Sequence, residues 1–326
     1  TFQREHPGVT VMWAGALGIE QNYPSYADEA PGLFGWAEEE FENWLNDTGG
    51  HQPLDLLNAG RRWIILFVGI GAVVAYFGLS RLAGRSLALL ALLYIALDPF
   101  FIAHSFELHP DGLLSILFLA SALSFLAWLY GGAQWQYLLL SGLSMGLAGL
   151  TKTPAIFLVP TALLLACVEL IRRRQPPGRL VLGMAVWGGL AVATVILVWP
   201  ALWVNLFGTL NAMAQELILY AEGHINPNYF MQQTTQDPGP FFYPIAFLLR
   251  STPTTLLGLA SALFLRVTRR WPFSNPLVRR TSDGPLLFAL IFTLGVNLGA
   301  KKFDRYLLPA TLCLDVIAVL GLVGLV

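Results

Sequence analysis

Long apolar runs separated by short polar segments make up most of the chain. Nine of these runs are 14 to 21 residues long, and a helix needs about 20 apolar residues to cross a bilayer. The pattern therefore predicts about nine membrane-spanning helices. The runs are roughly 62–80, 86–103, 112–130, 137–150, 155–171, 180–199, 252–266, 284–299 and 306–326.

Composition supports an all-α polytopic membrane protein. Hydrophobic residues make up 56% of the chain and charged residues 12%, whereas soluble domains have about 25% charged residues. The mean hydropathy is +0.61. Cys167 and Cys313 each lie inside an apolar run, so we interpret them as buried apolar residues rather than as a disulfide or a metal site.

Two long segments do not read as membrane spans. Residues 1–61 are interpreted as a partial first loop, and 200–251 as a second loop within a transmembrane bundle of residues 62–326. Within them, 31–47 and 207–224 are predicted to form helices on the membrane surface, because aromatic and polar residues alternate there at near-helical spacing.

Arginine placement predicts the orientation of the chain. Eleven of the 19 basic residues fall in the short loops 81–85, 172–179 and 266–283, and basic residues mark cytoplasmic loops. Both long segments are therefore predicted to be extracytoplasmic in a multi-pass protein of the cell membrane.

Lys152 is the only charged residue between Gln136 and Glu169. Thr153 and Pro154 suit a helix start, as N-cap and first helical residue, which places Lys152 in a turn. The flanking helices reach about 21 and 24 Å, less than the hydrocarbon thickness of about 30 Å. A lysine at that depth should face water, an acid or an anion; the alternative is that it snorkels to the interface.

Other charged residues collect on the same predicted side, just before two of the runs. We expect one outer cavity with a cationic floor, suited to a phosphate. The residues are His104, Glu107, His109 and Asp111, and then Lys301, Lys302, Asp304 and Arg305.

A divalent metal held by His104, Glu107 and His109, with Asp111, is an alternative interpretation of the first group. A hydrogen-bonded turn is favoured, because Pro110 interrupts the helix. Asp111 is then expected to be the N-cap of the next helix. Asp315 lies inside the last run, and we expect it to pair with a neighbouring helix.

Four stretches carry a resemblance to a known family. They are HPGVTVMWAGALG (6–18), HPDGLLSILFLASAL (109–123), GLAGLTKTPAIFLVP (146–160) and FDRYLLPA (303–310). In order and type they resemble segments of the GT-C glycosyltransferases that use polyprenyl-phosphate donors, above all the protein O-mannosyltransferases and the lipid A aminoarabinose transferases.

The resemblance implies transfer of a sugar, with inversion, from a polyprenyl-phosphate donor to a lipid, glycan or protein acceptor on the extracytoplasmic side. It implies membrane lipids as partners, and no nucleic acid. Lys152 and Arg305 would bind the donor phosphate, with His6 and Tyr306 assisting and Lys301 and Lys302 as alternates.

The resemblance also implies a catalytic carboxylate from an acidic pair that precedes the His-Pro stretch. Only Thr1–Glu5 precede His6 here, so we expect the catalytic residue upstream of residue 1, in a longer protein. Glu5 and Asp111 are the alternatives within the chain. The family often has lysine where this chain has His6, whose charge depends on pH.

Three other functions are kept open. A transporter would also bury charged residues near a cavity, although no internal repeat is visible in the sequence. An accessory subunit without its own catalysis, or a ligase of polyprenyl-linked polymers, would share many of the same features.

Overall fold

The computed structural model describes residues 8–29, 38–47, 52–173, 175–222 and 227–325, and within them it is helical apart from one small hairpin. The helices are α1 (Val9–Asn22), α2 (Tyr26–Glu29), α3 (Glu38–Asp47), α4 (Pro53–Ala83), α5 (Arg85–Ala96), α6 (Pro99–Ser105), α7 (Pro110–Tyr130), α8 (Trp135–Thr151), α9 (Leu158–Ile171), α10 (Pro177–Val198), α11 (Pro200–Val204), α12 (Leu206–Glu222), α13 (Phe242–Arg250), α14 (Pro253–Val267), α15 (Pro276–Asn297) and α16 (Leu308–Val323). Short 3₁₀ helices, Thr153–Phe157 and Asp304–Leu307, precede α9 and α16.

Each predicted apolar run contains a helix, but nine membrane spans are not confirmed. In the described part of the chain, five helices are long and apolar enough to cross a membrane, or seven if two bent pairs each count as one span. The pairs are α5 with α6, bent by 70°, and α13 with α14, bent by 110°. α8 has only 17 residues, and α15 begins with a polar stretch, which is why neither counts.

Helix α7 is the centre of the bundle. The 18-residue window that qualifies it as a span is wholly buried inside the protein, and α4, α8, α15 and α16 pack around it. Apolar residues cover every face of α7, as expected for a helix surrounded by others. Charged side chains meet α7 at its two ends, whereas Ser121 and Ser141 exchange hydrogen bonds inside the bundle.

The predicted boundary at residue 61 falls inside α4, which is continuous from Pro53 to Ala83. α1 packs along its first turns, and Gly18 meets the backbone of Ala59 so closely that a Cβ there would come within 2.4 Å of the Ala59 carbonyl carbon. The first segment is thus joined to the bundle by a close helix–helix contact.

The second long segment contains α11, α12, a hairpin and α13. The antiparallel strands β1 (Asn228–Phe230) and β2 (Gln233–Thr235) form the hairpin. The Asn228 side chain accepts a hydrogen bond from the Lys302 backbone N–H (3.1 Å) and donates one to the Ala300 carbonyl (3.2 Å). The hairpin is thereby fixed to the segment that precedes α16.

The arginine-rich loops meet at the carboxyl end of α7. Arg81 Nε donates to the Gly131 carbonyl and Gln175 Nε2 to the Leu129 carbonyl, each at 2.7 Å, while Arg179 donates to the Ala133 carbonyl. Cations are favourable at a helix carboxyl end, where carbonyls lack helical partners. The loops predicted to share one side of the membrane therefore lie at one end of the bundle.

Candidate functional site

The amino end of α7 presents a buried carboxylate. The helix begins at Pro110, and its N-cap is His109, whose Nδ1 accepts from the Asp111 backbone N–H at 3.4 Å. The prediction that Asp111 is the N-cap is wrong, because the helix starts one residue before it. Asp111 lies in the first turn, where the helix dipole favours a negative charge, and it is 1% exposed.

Lys152 reaches this carboxylate from the turn after α8. It is the C-cap of α8 and also the N-cap of the 3₁₀ helix that starts at Thr153, so Thr153 is not the cap that we predicted. The Lys152 ammonium donates to Asp111 Oδ1 at 2.5 Å, and its side chain is 22% exposed. The lysine therefore faces an acid inside the protein.

Arg305 approaches the second oxygen of the same carboxylate from the 3₁₀ helix before α16. Its Nε lies 3.0 Å from Asp111 Oδ2. The direction of the N–H does not make this contact a hydrogen bond, and neither atom has a hydrogen-bond partner among the described residues. Both atoms are buried and face each other, so this ion pair holds the guanidinium against the carboxylate inside the protein.

Aromatic rings hold the two cations. The Lys152 ammonium lies 4.0 Å from the centroid of the Tyr306 ring, and the Arg305 guanidinium lies 4.2 Å from that of Phe303. Such cation–π contacts favour a fixed position of the charge. We call Asp111, Lys152, Phe303, Arg305 and Tyr306 the carboxylate cluster.

The carboxylate cluster has more basic than acidic groups, since Lys152 and Arg305 both face the single carboxylate of Asp111. Burial lowers the pKa of His109, against the effect of Asp111, so the imidazole adds no charge near neutral pH. Lys301 lies beside the cluster, over the Phe303 ring at 5.2 Å, and has no ion pair within the described ranges. Partial burial, and then the charge of Arg305, lower the pKa of Lys301. A bound anion would offset both of these unfavourable effects on the charged lysine.

The four stretches that carry the family resemblance converge at this place. The second, third and fourth stretches supply Asp111, Lys152 and Arg305. The first is attached to the third, since the Gly8 backbone N–H donates to the Leu150 carbonyl at 2.7 Å. A second link joins the hydroxyls of Thr10 and Thr151 at 2.8 Å. Contacts among stretches so distant in the sequence support a shared function.

Several predicted site residues lie elsewhere. Glu5 and His6 are outside the described residues. Lys302 is buried, and its ammonium donates to Asp237 Oδ1 at 2.5 Å, which secures the loop after the hairpin. It does not share the carboxylate with Lys152.

The metal alternative gains no support from the geometry. In the described ranges, no three His, Cys, Asp or Glu side chains are placed so that they could hold a metal ion. His104 instead packs edge-on against Phe100 with 5.2 Å between ring centroids. His104 is therefore in α6, and residues 106–109 are a turn that leads into α7.

Sequence reasoning did not identify Asp111 as the centre of the site. It weighed the residue as a helix cap and as a weak catalytic alternative. The sequence contains a signal for this role of Asp111, because His109-Pro110-Asp111 stands immediately before an apolar run. A carboxylate at the start of such a run needs a positively charged or hydrogen-bonding partner.

Comparisons with known proteins support the resemblance to the family. Residues 57–203 match the sequence model of the dolichyl-phosphate-mannose-protein mannosyltransferases. The crystal structure of ArnT from Cupriavidus metallidurans in the apo state is similar, with a TM-score of 0.60 and 17% identity over 98% of this chain and 49% of ArnT. The crystal structure of ArnT bound to undecaprenyl phosphate gives a TM-score of 0.58 and 16% identity over 99% and 50%. A search among curated proteins found no match.

These similarities establish the fold. The chain has the all-helical architecture of a GT-C multi-pass membrane protein, as the sequence predicted. It spans about half the length of the ArnT structures that it matches.

Proposed function

We propose that the chain is part of a membrane glycosyltransferase that takes a sugar from a polyprenyl-phosphate donor, and that Lys152 and Arg305 bind the donor phosphate. The observation that carries the proposal is the convergence of these two cations on Asp111 at the amino end of α7. The family match and the ArnT fold, known with undecaprenyl phosphate bound, support the donor class.

The charge of the cluster suits a phosphate. Asp111 balances only one of the two cations. Lys152 and Arg305 both keep partial exposure, whereas Asp111 has almost none. A phosphate would therefore bind on the exposed side of the cations, and Asp111 would hold them from behind.

In this arrangement the cations stabilise the leaving group. When the sugar–phosphate bond breaks, negative charge develops on the phosphate, and fixed cations lower the energy of that state. An ammonium acts as a point charge, whereas a guanidinium offers a planar set of donors, so the two residues make different contacts. Tyr306 assists by fixing the position of Lys152, and Lys301 is the alternate cation.

The base that accepts the proton of the acceptor hydroxyl is proposed to lie elsewhere. Asp111 is 1% exposed and both its oxygens face cations, so it offers no surface to an acceptor. We therefore keep the expectation of a carboxylate upstream of residue 1, with Glu5 as the alternative. Inversion at the anomeric carbon, extracytoplasmic chemistry and a lipid, glycan or protein acceptor belong to the same proposal.

A transporter is the second candidate, and one observation favours it. Two helix pairs are broken inside the bundle, at 70° and 110°, and broken helices are common around transported substrates. Sugar transfer from a donor panel by the full-length protein separates the two candidates, since a transporter would move the substrate without cleaving it.

Binding of undecaprenyl phosphate to the full-length protein, reconstituted in nanodiscs, tests the site. We expect Lys152→Ala to weaken binding by roughly tenfold or more, about 1.4 kcal/mol, and Lys152→Arg to recover part of the loss. Arg62→Ala is the matched control, because Arg62 is an exposed cation on α4 outside the cluster. Equal binding by a correctly folded Lys152→Ala variant would refute the assignment.

A further inference from the structure

A second group of polar side chains lies inside the bundle, two turns into α16. Its centre is Asp315, which is completely buried. Oδ1 accepts a hydrogen bond from the Thr255 hydroxyl at 3.1 Å, and Oδ2 has no partner among the described residues. The expected pairing of Asp315 with a neighbouring helix is thus made through a hydroxyl of α14.

Among the described residues, the Thr255 hydroxyl donates to Asp315, but no positive charge compensates a negative charge on it. No lysine, arginine or histidine lies within ion-pair distance of it in those parts of the chain, α7, α14 and α15 included. The titratable groups near it are Asp98, Tyr94 and Cys313. Asp98 is itself buried and accepts from the Phe101 backbone N–H at 2.8 Å, so its charge would oppose a second charge on Asp315.

A chain of hydroxyl groups leads from Asp315 to the surface. The Thr255 hydroxyl lies 2.8 Å from the Tyr94 hydroxyl, which lies 3.0 Å from that of Thr254. Thr254 is exposed at the start of α14. Each hydroxyl can donate and accept at once, so the chain is continuous in either direction.

The hydrogen-bonded hydroxyl groups also lie where the two bent helix pairs, α5 with α6 and α13 with α14, meet. Tyr94 is in the last turn of α5, before the bend to α6, and Thr252 caps α14 at the bend from α13. Polar groups on interrupted helices inside a membrane protein are usually functional, because burial of a polar group without a hydrogen-bond partner costs too much free energy.

We propose that Asp315 is a proton-binding site, loaded and unloaded through the hydroxyls of Thr255, Tyr94 and Thr254. A proton taken up at Thr254 moves along the chain as each oxygen accepts one proton and passes on another. The net result is one proton added to the carboxylate and none lost from the hydroxyls. Protonation removes a charge that would otherwise lie uncompensated in the bundle. This inference does not depend on the proposed glycosyltransferase function.

Infrared spectroscopy of the full-length protein in lipid bilayers tests the site, because a protonated carboxyl group has its own C=O absorbance. At neutral pH we expect this band in the parent protein and in Asp98→Asn, and its loss in Asp315→Asn. Tyr94→Phe should keep the band but slow its shift on transfer to D₂O, since the hydroxyl chain is then cut. Thr255→Val gives a second interruption of the same chain.

Three results would overturn the proposal. A band that survives in Asp315→Asn and disappears in Asp98→Asn would place the proton on Asp98. A band that appears only when sodium is removed would identify a sodium site instead. Equal exchange rates in the parent, Tyr94→Phe and Thr255→Val proteins would rule out the hydroxyl chain as the route, even if the carboxyl proves to be protonated.

Discussion

At its carboxyl end α7 meets Arg81 and Arg179, and at its amino end it meets Lys152 and Arg305, yet the two ends use positive charge differently. At the carboxyl end the arginines donate to backbone carbonyls, which they satisfy. At the amino end the cations meet a single buried carboxylate, and a buried donor and acceptor stay without hydrogen bonds in the described structure.

The difference separates fold from function. Arginines on helix carbonyls complete the last turn of α7 and leave little electrostatic demand unmet. Two cations on one carboxylate leave an excess charge at a partly exposed position, which is costly without an anion. The comparison therefore favours the amino end of α7 as the ligand site that we propose.

The sharpest test of this comparison is the side of the membrane on which each end lies. In a Cys167→Ser background, we expect a membrane-impermeant thiol reagent to label Tyr229→Cys in intact cells but not Pro176→Cys. Both positions are exposed, and Cys313 is buried. Labelling of Pro176→Cys alone would reverse the orientation predicted from the arginines, while permeabilised cells control for accessibility.

Removal of the shared carboxylate should have the largest effect on stability. Asp111→Ala leaves Lys152 and Arg305 without their anion, which we expect to cost roughly 3–5 kcal/mol, towards the lower limit because both cations are partly exposed. Thermal unfolding in detergent measures the loss. Added undecaprenyl phosphate should restore part of it; no restoration would contradict an anion site at this end.

A double-mutant cycle measures how the two cations act together. Arg305→Ala should weaken binding of undecaprenyl phosphate by about tenfold, about 1.4 kcal/mol. Lys152→Ala with Arg305→Ala should lose less than the sum, since both contact one phosphate. Fully additive losses would mean that the residues bind separate groups.

Substitution at the other end of α7 should affect stability alone. Arg81→Ala removes a hydrogen bond to the Gly131 carbonyl, and we expect a loss of about 1 kcal/mol in unfolding free energy. Binding of undecaprenyl phosphate should stay within twofold of the parent, a small margin of about 0.4 kcal/mol. A large loss of undecaprenyl phosphate binding by Arg81→Ala would mean that the two ends of α7 do not differ in function.

The pair of buried Lys302 and exposed Asp237 gives the smallest effect and a reference for the pair of Lys152 with Asp111. The hydrogen bond from Lys302, followed by that from the Gly239 N–H, lowers the pKa of Asp237. Because the folded pKa lies below the unfolded value of about 3.9, the contact stabilises above that value and is lost as the pH falls through the lower folded pKa. Hydrogen exchange in residues 228–237 should therefore rise only under strongly acidic conditions, and Asp237→Asn should raise it at neutral pH.

The sequence was sufficient to predict the long apolar helices. It was also sufficient to identify two of the three charged members of the carboxylate cluster. Each of the nine hydrophobic runs located a helix, because a bilayer sets the length and polarity of the helices that cross it. Lys152 and Arg305 were identified because charge is rare in such runs. Their common partner Asp111 was missed as such, since which side chains meet depends on packing between helices that are far apart in sequence.

The span count and the hairpin show what local patterns leave out. The bends of 70° and 110° fall where Pro99 and Pro253 begin the second helix of each pair, so proline marks the break, but hydrophobicity alone does not give the angle. The hairpin strands have three residues each, too few for alternation to be visible. Lys302 had the same local features as Lys152, and only the fold shows that it contacts Asp237 instead.

The complete enclosure of α7 has a consequence for how the protein is assembled during synthesis. α15 and α16 are synthesised after α7, yet they form part of the wall around it, and Arg305 arrives with them. A nascent chain that has reached only α14 therefore has Lys152 but not Arg305 to pair with Asp111. Enclosure of α7 and completion of the charge arrangement at Asp111 thus depend on the same late-synthesised helices.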